Sequence, residues 1–153
     1  MTQRTLLAGA FIAAALLTTA AETLAGEDAA SAFRHREDTM KRMGRALYGG
    51  IGRVVKGTAA YGPDTVAAAE TVASLARTIE TLFPAGSNVD DSRMLPEIAT
   101  AQDRVRSLAA TVQDAAGQLV AVVKSGDRVG IATAYAALKD DCEACHSKFR
   151  KPE

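Results

Sequence analysis

The sequence predicts an all-α fold, an antiparallel bundle of four long helices. Hydrophobic residues make up 48% of the 153 residues, whereas aromatic residues make up only 5% and Trp is absent. A core of Ala, Leu, Val and Ile suits close-packed helices better than strands. Apolar residues also recur at steps of three and four along four stretches that Pro and Gly separate. No stretch alternates between apolar and polar residues for long enough to predict a strand.

Each helix is predicted from its apolar spacing and from the residues that start and stop it. Pro96 with Glu97 suits a first helical turn, and Asp127 suits an N-cap. The helices are expected over about 28–56, over 63–83, over about 96–124, and from the tight connection at 125–127 to near Pro152.

The N-terminal segment, residues 1–25, is predicted to be a cleaved secretory signal peptide. Arg4 supplies a short basic region, and residues 6–17 form an uninterrupted apolar run. Small residues at 23–25 suit signal peptidase, with 19–21 as the second choice of site. The apolar run is shorter than the roughly 20 residues of a spanning helix, which disfavours a retained membrane anchor. Residues 26–153 are therefore expected to form one exported domain in the periplasm, without a membrane span.

Charge and cysteine content exclude several classes of protein. Lys and Arg together number 18, as do Asp and Glu, so the formal net charge is zero. This balance gives neither the basic surface of a nucleic-acid-binding protein nor an acidic tail. Two cysteines are too few for the disulfide framework of a small secreted domain.

The most specific motif lies near the C-terminus, where residues 142–146 read Cys-Glu-Ala-Cys-His. On a helix Cys142 and Cys145 share one face, so both thiols can add to the vinyl groups of one haem while His146 binds its iron. A zinc site lacks a fourth ligand, a thioredoxin-like redox pair lacks its βαβ setting, and a disulfide would strain the helix. The motif therefore predicts one covalently bound haem c per chain.

The first helix offers a candidate for the second axial ligand of the iron. Met40 lies on the buried stripe near the start of this helix, which an antiparallel bundle brings close to the end of the last helix. A thioether is a suitable sixth ligand and gives a His/Met pair with a raised potential. The alternative is that Met40, like Met43, only fills the core. His35 lies off this stripe, so we expect it to be a solvated surface residue.

Neither the glycine run of the first helix nor the two histidines predict a nucleotide-binding or catalytic site. The Gly-Gly-Ile-Gly run at 49–52 lacks the full glycine pattern and the preceding strand of a nucleotide-binding loop, and is expected to ease close helix packing or a kink. With His35 on the far face and His146 assigned to iron, no Ser/His/Asp constellation is expected. The chain is therefore not expected to be an enzyme.

These residues resemble the cytochrome c-prime family, including its low-spin cytochrome c-556 branch. Residues 142–150 match the family's C-terminal haem site with its basic residue one turn past the ligand, and residues 36–44 resemble its Arg-x-x-x-Met-Lys segment. Residues 55–57, 82–87 and 95–98 resemble the close of the first helix, the central loop and the start of the third helix. Many members have Trp where this chain has Ala99, which predicts a more open edge near the haem.

The resemblance implies a role for each site residue. Cys142 and Cys145 would be the covalent attachment points and His146 the proximal ligand. Arg36 would lie near a haem propionate, and Arg150 near the proximal imidazole.

Three functions stay open at this point. If Met40 binds iron, the protein is a six-coordinate electron carrier whose partners are redox proteins. If Met40 only covers the distal face, the iron is five-coordinate and binds NO or CO. A haem-free structural bundle is the third reading. Dimerisation through the first two helices is common in the family, so a homodimer is compatible with each of them.

Overall fold

The computed structural model describes residues 28–89 and 91–152, and within them the chain forms the predicted four-helix bundle. Helix α1 covers residues 28–55; it is α-helical to residue 44, a π-helix over Arg45–Ile51, and α-helical again over Gly52–Val55. Helix α2 is Pro63–Ala76, α3 is Gln102–Ser125 and α4 is Arg128–Phe149. The predicted signal peptide, residues 1–25, lies outside the described residues.

Two predicted helices are interrupted by turns of 3₁₀-helix. Helix α2 ends at Ala76 instead of residue 83, and a separate 3₁₀ turn follows at Ile79–Leu82. The hydroxyl of Thr78 donates to the carbonyl of Leu75, and such local bonds compete with α-helical pairing. The third helix divides in the same way, into a 3₁₀ turn at Pro96–Ala99 and α3. Both turns let the chain bend around one end of the bundle.

The ends of α4 are set by a cap and by a pairing. As predicted, Asp127 is its N-cap, and the Asp127 carboxylate accepts a hydrogen bond from the Val129 amide at 3.1 Å. At the other end Arg150 is extended (φ −119°, ψ 133°) and forms an isolated antiparallel bridge with Met94. The helix therefore ends just after His146 and is tied to the chain that leads into α3.

The core consists of two clusters of buried side chains. The larger fills the centre of the bundle, with members from every helix that include Leu47, Val72, Leu119 and Leu138. The smaller lies at the C-terminal end of α4 and contains Met94, Ile98, Val105, Leu108 and Phe149. Among the described helices, none combines the length and apolarity needed to cross a bilayer.

Glycines in the π-helical part of α1 permit close contact with two neighbours. A Cβ added at Gly50 would lie 2.6 Å from the Cβ of Ala68 on α2, and one at Gly52 would lie 2.6 Å from the hydroxyl oxygen of Tyr135 on α4. Real Cβ atoms do not approach so closely. The glycine run therefore serves helix packing, as its sequence predicts, and a π-helical turn is a known cause of helix bending.

This packing gives a testable difference between adjacent glycines. Gly50→Ala should lower the free energy of unfolding by about 1–3 kcal/mol, because the added methyl group overpacks the contact with α2. Gly49→Ala is the matched control, since nothing lies within 4 Å of a Cβ there. That variant should gain about 0.5–1 kcal/mol from helix propensity. Urea unfolding followed by circular dichroism measures both; equal effects at the two positions would contradict the packing role.

Candidate haem site

A cavity of about 550 Å³ lies at the end of the bundle where α1 begins and α4 ends. Its walls are mostly apolar and come from α1, α3, α4 and the chain between α2 and α3. Residues from α1 include Phe33, Arg36, Met40, Met43 and Leu47; α3 supplies Leu108, Ala109 and Val112; α4 supplies Cys142, Cys145, His146 and Phe149. The structure therefore brings all six sequence-predicted site residues, Arg150 included, to the lining of one cavity.

The two thiols of α4 both line this cavity, half-buried and not joined in a disulfide. Burial raises the pKa of the Cys142 thiol to about 11, and the charge of Asp141 adds to the effect. Burial likewise raises the pKa of the Cys145 thiol. Among the described residues, no group of three or more His, Cys, Asp and Glu side chains is placed to hold a metal ion.

His146 is half-buried beside the two cysteines. Burial lowers the pKa of its imidazole, the nearby charge of Arg150 lowers it further, and Glu143 opposes both. A neutral imidazole is the form that binds a metal. Arg150 thus lies near His146, in the neighbourhood that the family resemblance implies.

The methionines occupy different parts of the cavity lining. Met40 is half-buried and packs against the central core cluster, which Cys142 also contacts, whereas His35 is exposed and absent from the lining. Met94 belongs to the smaller cluster, with Phe149 and with Cys145 against it. Sequence reasoning did not single out Met94, because it lies in irregular chain where no helical spacing marks a buried face.

Arg36 is the most buried charged residue of the site, with 7% of its surface exposed. Its two terminal nitrogens donate four hydrogen bonds, to the Leu82 carbonyl, to the hydroxyl and carbonyl of Ser87, and to the Ser92 hydroxyl, at 3.1–3.2 Å. The guanidinium also contacts the rings of Phe33 and Phe83 at 5.8 and 5.6 Å. Burial lowers the pKa of Arg36.

All of these acceptors are neutral, and none of the described carboxylates forms an ion pair with Arg36. A buried charge without a counter-charge is costly. A cofactor that carries carboxylates would supply that counter-charge from the cavity. Together with the apolar walls, the two thiols at i and i+3 and the imidazole, this residual positive charge fits haem c.

Comparison with known proteins decides the family. The family model for cytochrome c′ matches residues 31–150. The chain belongs to the cytochrome c′ family. Cytochrome c-556 from Agrobacterium tumefaciens is 34% identical over 116 residues, which cover 75% of this chain and 93% of that protein. Cytochrome c-556 from Agrobacterium fabrum is 31% identical over 123 residues, 80% of this chain and 82% of that protein.

Solved structures of the family share this fold. Cytochrome c′ from Shewanella frigidimarina superimposes with a TM-score of 0.76 at 26% identity, over 81% of this chain and 97% of that one. A carbon monoxide-bound variant of cytochrome c′ from Alcaligenes xylosoxidans gives a TM-score of 0.73 at 25% identity, with the same coverage of both chains. This member of the cytochrome c′ family carries one covalently bound haem c.

Ala99 stands where many members of the family have Trp, and it lies at the edge of the site. Ala99 is exposed and does not line the cavity, whereas its neighbour Ile98 is buried and does. The more open edge near the haem stays a prediction.

The cysteine assignment predicts how the haem is retained. Cys142→Ser/Cys145→Ser should release its haem when denatured in acidic acetone, because no thioether bond would remain, while the unmodified protein retains it. Each single variant should retain haem through one bond and shift its pyridine haemochrome band. Haem retained by the denatured double variant would contradict the assignment.

Proposed function

We propose that this cytochrome is an exported one-electron carrier whose haem iron is bound by His146 and Met40. The observation that carries the proposal is that Met40 on α1 and His146 on α4 line one cavity. Imidazole and thioether are the axial pair of electron-carrying cytochromes c. The haem supplies the one-electron redox couple, and the protein supplies its ligands and surroundings.

Each wall of the cavity contributes to this function. As a ligand, the thioether of Met40 would favour the reduced iron and so raise the potential. The buried charge of Arg36 acts in the same direction, because a nearby positive charge favours the state with one more electron. The apolar side chains of α1 and α3 restrict solvent access, which also tunes the potential.

The relatives support the electron-carrier branch. Those at 31–34% identity are named cytochrome c-556, the low-spin branch that the sequence resembles. The alternative is a five-coordinate protein that binds NO or CO at an open sixth position. It is favoured by the structural neighbours from Alcaligenes xylosoxidans, which include NO-bound and CO-bound variants of cytochrome c′. The role of Met40 separates the two.

Location and partners follow from the same proposal. We place the mature protein in the periplasm, where residues 1–25 would direct it, and expect redox proteins as its partners. His35 is exposed and His146 lies in the cavity, and these are the two histidines of the chain. We therefore propose a carrier without catalytic turnover of its own.

A substitution at Met40 tests the proposal. Met40→Ala should convert a low-spin reduced protein to a high-spin one that binds CO, and should lower its midpoint potential because the thioether ligand is lost. Visible spectra with and without CO and a redox titration measure the two effects. Met43→Leu, which also lines the cavity, is the control and should keep the low-spin spectrum. An unchanged spectrum in Met40→Ala would remove Met40 as a ligand.

A further inference from the structure

Four residues between the 3₁₀ turns, residues 92–95, connect the two helices that carry the axial ligands. The Ser92 hydroxyl accepts one hydrogen bond from Arg36 of α1 at 3.2 Å and another from the Met94 amide at 3.1 Å. Ser92 is 3% exposed, and both donors belong to buried residues. The hydroxyl therefore satisfies a buried charged donor and a buried amide at once.

The same four residues are bound to the end of α4. The Leu95 amide donates to the Phe149 carbonyl at 2.8 Å, and the Lys151 amide donates to the Arg93 carbonyl at 2.7 Å. The Lys151 ammonium donates to the Ser92 carbonyl at 3.0 Å, and the Arg93 guanidinium donates to the Lys151 carbonyl at 2.8 Å. Ser92 is thus bonded to α1 through its hydroxyl and to the tail of α4 through its carbonyl.

These bonds act near both axial positions. Arg36 and Met40 are four residues apart on α1, so they lie one above the other on the same face. Lys151 follows His146 by five residues, just beyond the end of α4. Moving the Met40 side of the cavity away from α4 therefore requires the bonds of Ser92 to break or stretch.

We propose that Ser92 is a positioning residue that holds α1 to the tail of α4 and thereby controls how readily a small ligand reaches the Met40 side of the haem. This proposal rests on the proposed haem site. If Met40 binds iron, an entering ligand must displace it, and the bonds of Ser92 oppose that movement. If Met40 only covers the iron, the same bonds hold the cover in place.

The rate of CO association with the reduced, haem-loaded protein tests this role. Ser92→Ala should raise the CO association rate about tenfold. A tenfold change corresponds to the free energy of about one hydrogen bond from a buried charged donor. Lys151→Met, which removes only the more exposed bond to α4, should raise the rate about threefold. Lys151→Arg keeps a donor and should restore the original rate. Lys148→Met changes an exposed lysine three residues earlier, and should have no effect.

A second readout separates positioning from general destabilisation. Hydrogen exchange at the Met94 amide should be faster in Ser92→Ala, because that amide loses its acceptor, while exchange in α3 stays unchanged. Faster exchange throughout α3 would mean that the substitution loosens the whole bundle, which would overturn a specific role for Ser92.

CO association rates in Ser92→Ala and Lys151→Met that stay within about twofold of the unmodified protein would also overturn the proposal. The proposed function fails on a different observation, a high-spin spectrum of the unmodified reduced protein without CO. The CO association rate of Ser92→Ala relative to that of the unmodified protein tests the role of Ser92 whether or not the proposed function holds.

Discussion

The guanidinium of Arg36 is a charge that the protein must solvate by itself, because the side chain is almost fully removed from water. The protein meets this need with carbonyls and hydroxyls gathered from the chain between α2 and α3. That chain can only wrap around this end of the bundle because α2 stops early and α3 starts late. The burial of Ser87 and Ser92 follows from this one constraint, because both accept hydrogen bonds from the Arg36 guanidinium.

The hydrogen-bond acceptors of Arg36 and its counter-charge come from different sources. Neutral acceptors hold the guanidinium in position, yet they leave its positive charge without a counter-ion among the described residues. A carboxylate-bearing cofactor is then favoured at the same place. Arg36 therefore serves two purposes that a surface arginine could not combine, since it fixes the loop and makes the cavity electrostatically complementary to haem.

Much of this could be predicted from the sequence, and for a physical reason. The spacing of apolar residues reports a helix directly, and two thiols and an imidazole within five residues of one helix form a site by local geometry alone. Contacts between residues that are far apart in the sequence cannot be predicted in this way. The acceptors of Arg36 lie 46–56 residues away along the chain, and Ser87, Ser92 and Met94 sit in irregular segments without periodicity. The break near residue 77 escaped prediction because the apolar spacing of Leu75, Ile79 and Leu82 continues through it.

The central claim is that α1 and α4 together provide both axial ligands of one haem c. The absorption spectrum of the unmodified reduced protein, recorded with and without CO, tests it most directly. We expect a sharp low-spin spectrum in the absence of CO, because Met40 occupies the sixth position, and only a slow change after CO is added, because CO must displace that ligand. A broad high-spin spectrum that shifts when CO is added would contradict it and would establish the gas-binding alternative.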